Sequence, residues 1–143
     1  MVYADTSFLI AIYLPEEGSE RVIRWMEKAR EALPLTPFHR HELRTGVRQR
    51  VFRGELTAGK MKEVFREVES DLSAGVLLHV PIPWTDAFRE AEQTGAGHGE
   101  QISLRSLDLL HIGIARAFGS AQFLTLDTRQ AAAASIADLR TRF

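Results

Sequence analysis

Three of the six aspartates in this 143-residue chain interrupt apolar sequence. Asp5 separates Val2-Tyr3-Ala4 from the run Phe8 to Leu14, Asp108 lies inside Leu107-Asp108-Leu109-Leu110, and Asp127 closes Phe123-Leu124-Thr125-Leu126. A buried carboxylate is costly and takes up a proton unless something stabilises its charge. A charge kept in such a place calls for an arginine, a helix N-terminus or a metal ion. Simpler roles stand beside the chemical one: Asp5 and Asp127 as caps of the helices that follow them, and Asp108 as the partner of Arg105 three residues earlier.

These residues must be positioned by a small soluble fold. The chain is long enough for one domain, residues 1–143, with a real core. Its 45% hydrophobic and 26% charged residues are an ordinary globular composition. A net charge of −1 excludes a polybasic surface that would adhere to nucleic acid or membrane along its whole extent. With no cysteine there is no disulfide, thiolate metal site or cysteine nucleophile. The longest apolar run, Phe8 to Leu14, is far short of the ~20 residues of a membrane span and follows an acid rather than a basic cluster. A cytoplasmic location and no membrane contact are expected.

Strand and helix patterns alternate. Residues 1–4 read as a strand and 6–14 as a buried helix. Ser19 is expected to cap a helix with Val22, Ile23, Met26 and Leu33 facing inward. Residues 33–36 read as a strand, and Thr36 before Pro37 starts a helix that stops near Arg53-Gly54. Thr57 caps an amphipathic helix with Met61, Val64, Phe65, Val68 and Leu72 on one side. A strand over 76–80 precedes a helix opened by Thr85 that fades into the glycines at 95–99. An apolar helix over 103–118, a strand over 122–126, a helix over 128–135 and an edge strand over 139–143 complete the chain. Connections this long imply parallel pairing, hence an α/β three-layer sandwich with a mainly parallel central sheet. Asp5 and Asp127 then fall at C-terminal strand ends, the edge where open α/β sheets bind ligands. They converge if the first and fourth strands are neighbours, with the hydroxyls of Thr6, Ser7, Thr125 and Thr128 on the same rim.

Two features of the Thr36 helix matter. Glu42 lies in its second turn, although a helical glutamate is ordinarily a solvated residue and spacing alone does not single it out. Arg40, Arg44 and Arg48 follow one another at i+4, a stripe suited to phosphates, to an acidic partner segment, or simply to solvent. His39 and His41 lack a third ligand nearby in sequence, which argues against zinc. His111, three residues after Asp108, reads as a hydrogen-bonded core group or a support for a ligand. His79, His98 and the glycine stretch carry no legible signal.

Taken in order, Asp5-Thr6-Ser7, Glu42-Leu43, Arg105-Ser-Leu-Asp108-Leu-Leu-His-Ile and Leu124-Thr-Leu-Asp127 resemble the PIN-domain nucleases. The chain is most similar to the VapC-type toxins of type II toxin–antitoxin pairs, along its whole length. The resemblance implies a metal-dependent endoribonuclease whose Asp5, Glu42, Asp108 and Asp127 hold Mg²⁺ or Mn²⁺. It also places Thr6 or Ser7, and Thr125, in the site as supporting polar groups. RNA as substrate, a cognate antitoxin protein lying over Arg40, Arg44 and Arg48, and a homodimer follow from the same resemblance. Carboxylates crowded together raise one another's proton affinity unless cations neutralise them, and an all-oxygen set suits a hard cation. Such an ion lowers the pKa of its water and stabilises the leaving oxygen, so hydrolysis leaving a 5′-phosphate is expected. Asp127 is followed by Thr128-Arg129-Gln130, with no further acid close behind, so a second metal is in question and Arg129 beside it could partly replace a cation. The turn from Arg53 to Thr57 joins helices whose apolar faces suit dimerisation, antitoxin capture or the protein's own core.

Other readings compete. A haloacid dehalogenase-type phosphatase also begins with a strand-end aspartate. Its second acid, however, is Ser7 here, and Lys28, Lys60 and Lys62 offer no suitable lysine. A catalytically weak module that binds RNA or protein is opposed by the retention of all four acids. A structure-specific DNA nuclease has the same residues.

Overall fold

A computed structural model of the chain describes residues 1–29 and 31–143. In chain order its elements begin with β1 (Val2–Ala4), α1 (Thr6–Tyr13), α2 (Ser19–Lys28), β2 (Leu33–Leu35), α3 (Pro37–Phe52) and α4 (Ala58–Ala74). They continue with β3 (Leu77–His79), α5 (Trp84–His98), α6 (Ser106–Ala117), β4 (Gln122–Leu124), α7 (Thr128–Ile136) and β5 (Arg140–Arg142). Every strand pairing is parallel, as an alternating α/β chain requires. The chain falls into two compact units, one of Met1–Asp5 with Ile82–Phe143 and one of Thr6–Pro81.

In the first unit β4 lies between β1 and β5. The register sets Val2 against Gln122, Tyr3 against Phe123 and Ala4 against Leu124, so the first and fourth strands are neighbours, the condition for Asp5 and Asp127 to share an edge. The Asp5 amide continues the ladder by donating to the Leu124 carbonyl at 2.9 Å. Tyr3, Phe123, Leu124, Ile112 and Ile114 are fully buried, each stabilising the unit by ~1.5–3 kcal/mol through removal from water. Helices α5 and α6 are closely apposed at Gly113, where an added Cβ would run into the Ala87 carbonyl and lie 2.9 Å from Ala91 N and Cβ.

In the second unit β2 pairs with β3. Pro34 has no N–H to give, and the ladder uses amides to either side: Leu33 donates to Val76 O at 3.1 Å and Val80 to Leu35 O at 3.3 Å. The caps of α3 and α4 are the expected ones. Thr36 Oγ1 accepts from the His39 amide and Thr57 Oγ1 from the Lys60 amide, both at 3.1 Å. The reciprocal bond from Thr36 N to His39 Nδ1, also 3.1 Å, completes the capping box.

Several elements depart from the sequence expectation. Ser19 is no cap: Gly18, at φ 91°, takes that position, and the Ser19 hydroxyl donates to Leu14 O while accepting from the Glu16 amide. Ile23 is exposed, and Trp25 turns inward to meet Phe8 edge-on at 5.6 Å. Leu33 belongs to β2, not to the helix before it. α5 starts at Trp84 without a side-chain cap and runs through Gly95 and Gly97 to His98. Residues 103–105 lie ahead of α6, and β4 stops at Leu124, which leaves Thr125 and Leu126 in the turn before Asp127. None of the described helices is long and apolar enough to cross a membrane.

One buried tie in the second unit has a measurable consequence. The Tyr13 hydroxyl donates to Asp71 Oδ2 at 2.6 Å, linking α1 to α4. Burial, then the Asp71 carboxylate, push the Tyr13 phenol well above its ordinary range. A raised phenol pKa favours the folded state only while the proton stays on, so stability should fall as pH climbs past the unfolded value near ~10. Urea titrations at rising pH should show this alkaline loss, and Tyr13→Phe should flatten it. Identical alkaline slopes for wild type and Tyr13→Phe would refute the assignment.

Candidate active site

The three aspartates singled out by their apolar surroundings all belong to the first unit. Asp5 follows β1, and its side chain is 1% exposed. Its Oδ2 accepts from the Thr125 hydroxyl at 2.6 Å. That same hydroxyl accepts from the Asp127 amide at 3.0 Å. One side chain thus ties the ends of neighbouring strands β1 and β4 together and fixes both carboxylate-bearing residues. Asp127 is also the cap of α7: its Oδ1 accepts from the amides of Arg129 at 2.8 Å and Gln130 at 3.4 Å. Burial alone would raise the Asp127 pKa, but the Arg129 and Gln130 amides and the Arg129 guanidinium, 3.4 Å away, outweigh it and hold the carboxyl below its usual range. The capping role and the strand-edge position therefore hold together, with Arg129 in part supplying positive charge.

Asp108 occupies the first turn of α6, where its Oδ2 accepts from Arg105 N at 3.2 Å and Nε at 3.3 Å. The Arg105 pairing weighed from sequence is therefore present, but that arginine is largely in solvent while Asp108 is buried. One turn further along α6, His111 Nδ1 lies 2.8 Å from the Tyr3 hydroxyl, and both residues are buried. Tyr3 is two residues before Asp5 on one strand, and His111 three after Asp108 on one helix. The pair thus braces β1 against α6 one layer below the two acids. Sequence placed His111 as a core or supporting group, but not its partner 108 residues away. Tyr3 carried a usable signal, since alternation along a strand puts residues 3 and 5 on one side.

The remaining candidates lie in the second unit. Glu42 is half-buried, and its Oε1 accepts from the Thr6 hydroxyl at 2.7 Å; Thr6 is the residue covalently next to Asp5. Ser7 follows on α1, half-buried. Arg40, Arg44 and Arg48 form the expected stripe on α3, but α4 engages it. Arg40 and Arg44 both pair with Glu69, the latter at 3.3 Å. Arg44 and Arg48 lie over the Phe65 ring at 4.8 and 5.2 Å. Bonding from Arg40 first, then Arg44, holds the Glu69 carboxyl below its ordinary pKa. Sequence reading did not anticipate this counter-charge.

Among the described residues no three histidines or carboxylates close into a ready-made metal cage. The donor set nonetheless fits a hydrated hard cation in kind. Mg²⁺ keeps most of its waters and needs only one or two carboxylates, with no need for an all-protein cage. Asp5 and Asp127, joined through Thr125 at the C-terminal edge of a parallel sheet, offer oxygen donors of that type.

Comparisons with known proteins agree with this fold. A family model described as PIN domain matches residues 2–136. The FitAcB structure from Neisseria gonorrhoeae is 24% identical, with a TM-score of 0.68 over 100% of this chain and 97% of that one. The Mycobacterium tuberculosis toxin VapC20, which cleaves the sarcin–ricin loop, is 15% identical, with a TM-score of 0.68 over 93% of this chain and 95% of its own. A toxin–antitoxin complex from Klebsiella pneumoniae is 14% identical, with a TM-score of 0.61 over 92% and 91%. At these identities the likeness is one of fold. Among curated proteins no sequence matches.

Proposed function

Because the chain belongs to the PIN-domain family, we propose that it is a metal-dependent endoribonuclease and the toxin of a type II toxin–antitoxin pair. The observation that carries this reading is the Thr125 hydroxyl. It bonds the Asp5 carboxylate and the Asp127 backbone at the ends of two neighbouring parallel strands. Asp5, Asp108 and Asp127 would hold Mg²⁺ or Mn²⁺, with Glu42 as the fourth acid that the family resemblance implies. When bound, such a cation supplies a water of lowered pKa and a positive charge beside the leaving oxygen.

The chain's own groups do the rest. Thr125 fixes the rotamer of Asp5, and Thr6 does the same for Glu42. The α7 amides keep Asp127 ionised. Arg40, Arg44 and Arg48 would meet RNA phosphates or an acidic antitoxin segment, and Glu69 competes for the first two. No side chain of this set is assigned as nucleophile; a cation-held water would attack phosphorus while the 3′ oxygen leaves, so a 5′-phosphate end is expected. The Klebsiella toxin–antitoxin complex supports an antitoxin partner. The homodimer implied by the resemblance is part of the same reading.

Cleavage of total cellular RNA by partner-free protein tests it. Discrete fragments with Mn²⁺ or Mg²⁺, none with chelator, and 5′-phosphate ends are the expected result. Chelator-resistant cleavage, or 2′,3′-cyclic phosphate ends, would overturn the metal mechanism.

A further inference from the structure

Two of the candidate acids each carry an arginine from their own stretch of chain, and both pairs lie in the first unit. On Asp127 the two carboxylate oxygens are divided. Oδ1 accepts from the α7 amides of Arg129 and Gln130, and Oδ2 faces the Arg129 guanidinium, with one terminal nitrogen 3.4 Å away. On Asp108 it is again Oδ2 that is engaged, by the Arg105 amide at 3.2 Å and by Arg105 Nε at 3.3 Å. Both arginines stand mostly in water, their side chains 71% exposed at Arg105 and 54% at Arg129.

These are loose contacts. Arg116, by contrast, is fastened by two bonds of 2.6 Å, to Glu90 and to the Ala137 carbonyl. Arg105 and Arg129 make one long side-chain bond apiece, and among the described residues neither has another side-chain partner. Exposed pairs of this kind are worth little, so the guanidinium leaves at small cost. A guanidinium carries five N–H donors in a planar fork that matches a phosphate, and each fork here spends only one of them on its acid.

A hard cation seeks carboxylate oxygens of the same kind. On Asp127, Oδ1 already serves two amides, so Oδ2 is the oxygen for which guanidinium and cation compete. On Asp108 the contest is one of charge alone. Like charges a few ångströms apart repel, so a cation taken up at either acid turns its arginine away. The side chain stays tethered two or three residues from that acid, which leaves its fork beside any phosphodiester drawn to the ion.

We propose that Arg105 and Arg129 are substrate-binding residues with two alternative partners: the Asp108 and Asp127 carboxylates when no cation holds these acids, and RNA phosphates when one does. The inference rests on the reading of these acids as a cation site.

Two titrations test it, one with Mn²⁺ alone and one with a short labelled oligouridylate. Arg105→Gln and Arg129→Gln, singly and together, are compared with wild type and with Arg142→Gln, and thermal unfolding shows that each variant folds. Arg142 is the control: it is exposed at the end of β5, level with Leu124 at the same sheet edge, and holds no ion pair among the described residues. Each single variant should bind Mn²⁺ about two- to fivefold more tightly, the worth of one exposed ion pair, and Arg142→Gln should not. For the oligouridylate the readout is the dependence of affinity on salt. In Mn²⁺ the double variant's slope should be shallower than that of wild type by up to ~1.4, two phosphate contacts at ~0.7 each on a single strand. In chelator the two slopes should coincide, because both arginines are then on their acids. A wild type that takes up no Mn²⁺ overturns the cation site and this inference with it. Variants that bind Mn²⁺ no more tightly than wild type, an equal gain in Arg142→Gln, or slopes that do not diverge on adding Mn²⁺ overturn this inference alone.

Discussion

Asp5→Asn should abolish metal-stimulated RNA cleavage, lowering it by more than ~100-fold, while thermal stability stays level or rises. Loss of a group that merely supports a metal ligand already costs ~10–100-fold, so loss of a ligand's own charge should cost more. The substitution keeps the two hydrogen bonds described above. Asparagine has the shape of aspartate, its side-chain oxygen still accepts from Thr125, and the residue-5 amide still donates to Leu124 O. What disappears is a negative charge at a site 1% exposed, which burdens folding when no cation is bound. Two measurements check this: cleavage rate, and the rise in melting temperature on adding Mn²⁺. The second should vanish in the variant, because a cation stabilises only a fold that binds it. Cleavage within about tenfold of wild type would remove Asp5 from the chemistry.

Gly113→Ala should destabilise the protein by ~2–3 kcal/mol, the upper part of the range for overpacking a tight core. The sign is the test. In a free helix the same exchange is worth almost 1 kcal/mol in the opposite direction. Here the new methyl would meet the Ala87 carbonyl and lie 2.9 Å from Ala91 N, and backbone cannot rotate aside. In a chain this size the loss should appear as a fall in melting temperature of roughly 5–10 °C. A neutral or stabilising result would mean that α5 and α6 are less closely apposed than this geometry has them.

Local signals were legible in the sequence and distant ones were not. Thr36 with Pro37, Thr57, Gly119 and Asp127 fix helix ends through atoms a few residues away, and the structure has them so. Asp5 and Asp127 were found because their apolar neighbours imply burial and their places imply strand ends. The failures share one cause. Gly95 and Gly97 read as a helix end, yet α5 continues because it packs on α6. Ser19 reads as a cap, yet its hydroxyl turns back to Leu14 O because Gly18 already supplies the left-handed residue. Ile23 and Trp25 exchange roles because Phe8, far back in sequence, offers its ring to tryptophan. The Tyr3–His111 brace and the Glu69 counter-charge join residues many turns apart, and periodicity carries nothing about such pairs. Glu42 was chosen through family resemblance alone, since a helical glutamate on a mixed face has no pattern of its own.

The register of β1 on β4 also orders events in time. Val2 to Ala4 find their partners only at Gln122 to Leu124, and Thr125 must be present before its hydroxyl can join Asp5 to Asp127. Thr6 to Pro81, by contrast, hold both strands of their own sheet. During synthesis that stretch can fold early, while β1 waits unpaired for its long-range contact. The aspartates of a nascent chain thus remain apart until β4 and Thr125 have been made, and a product that stops short of β4 never brings them together. Under the nuclease reading, incomplete chains are harmless by construction.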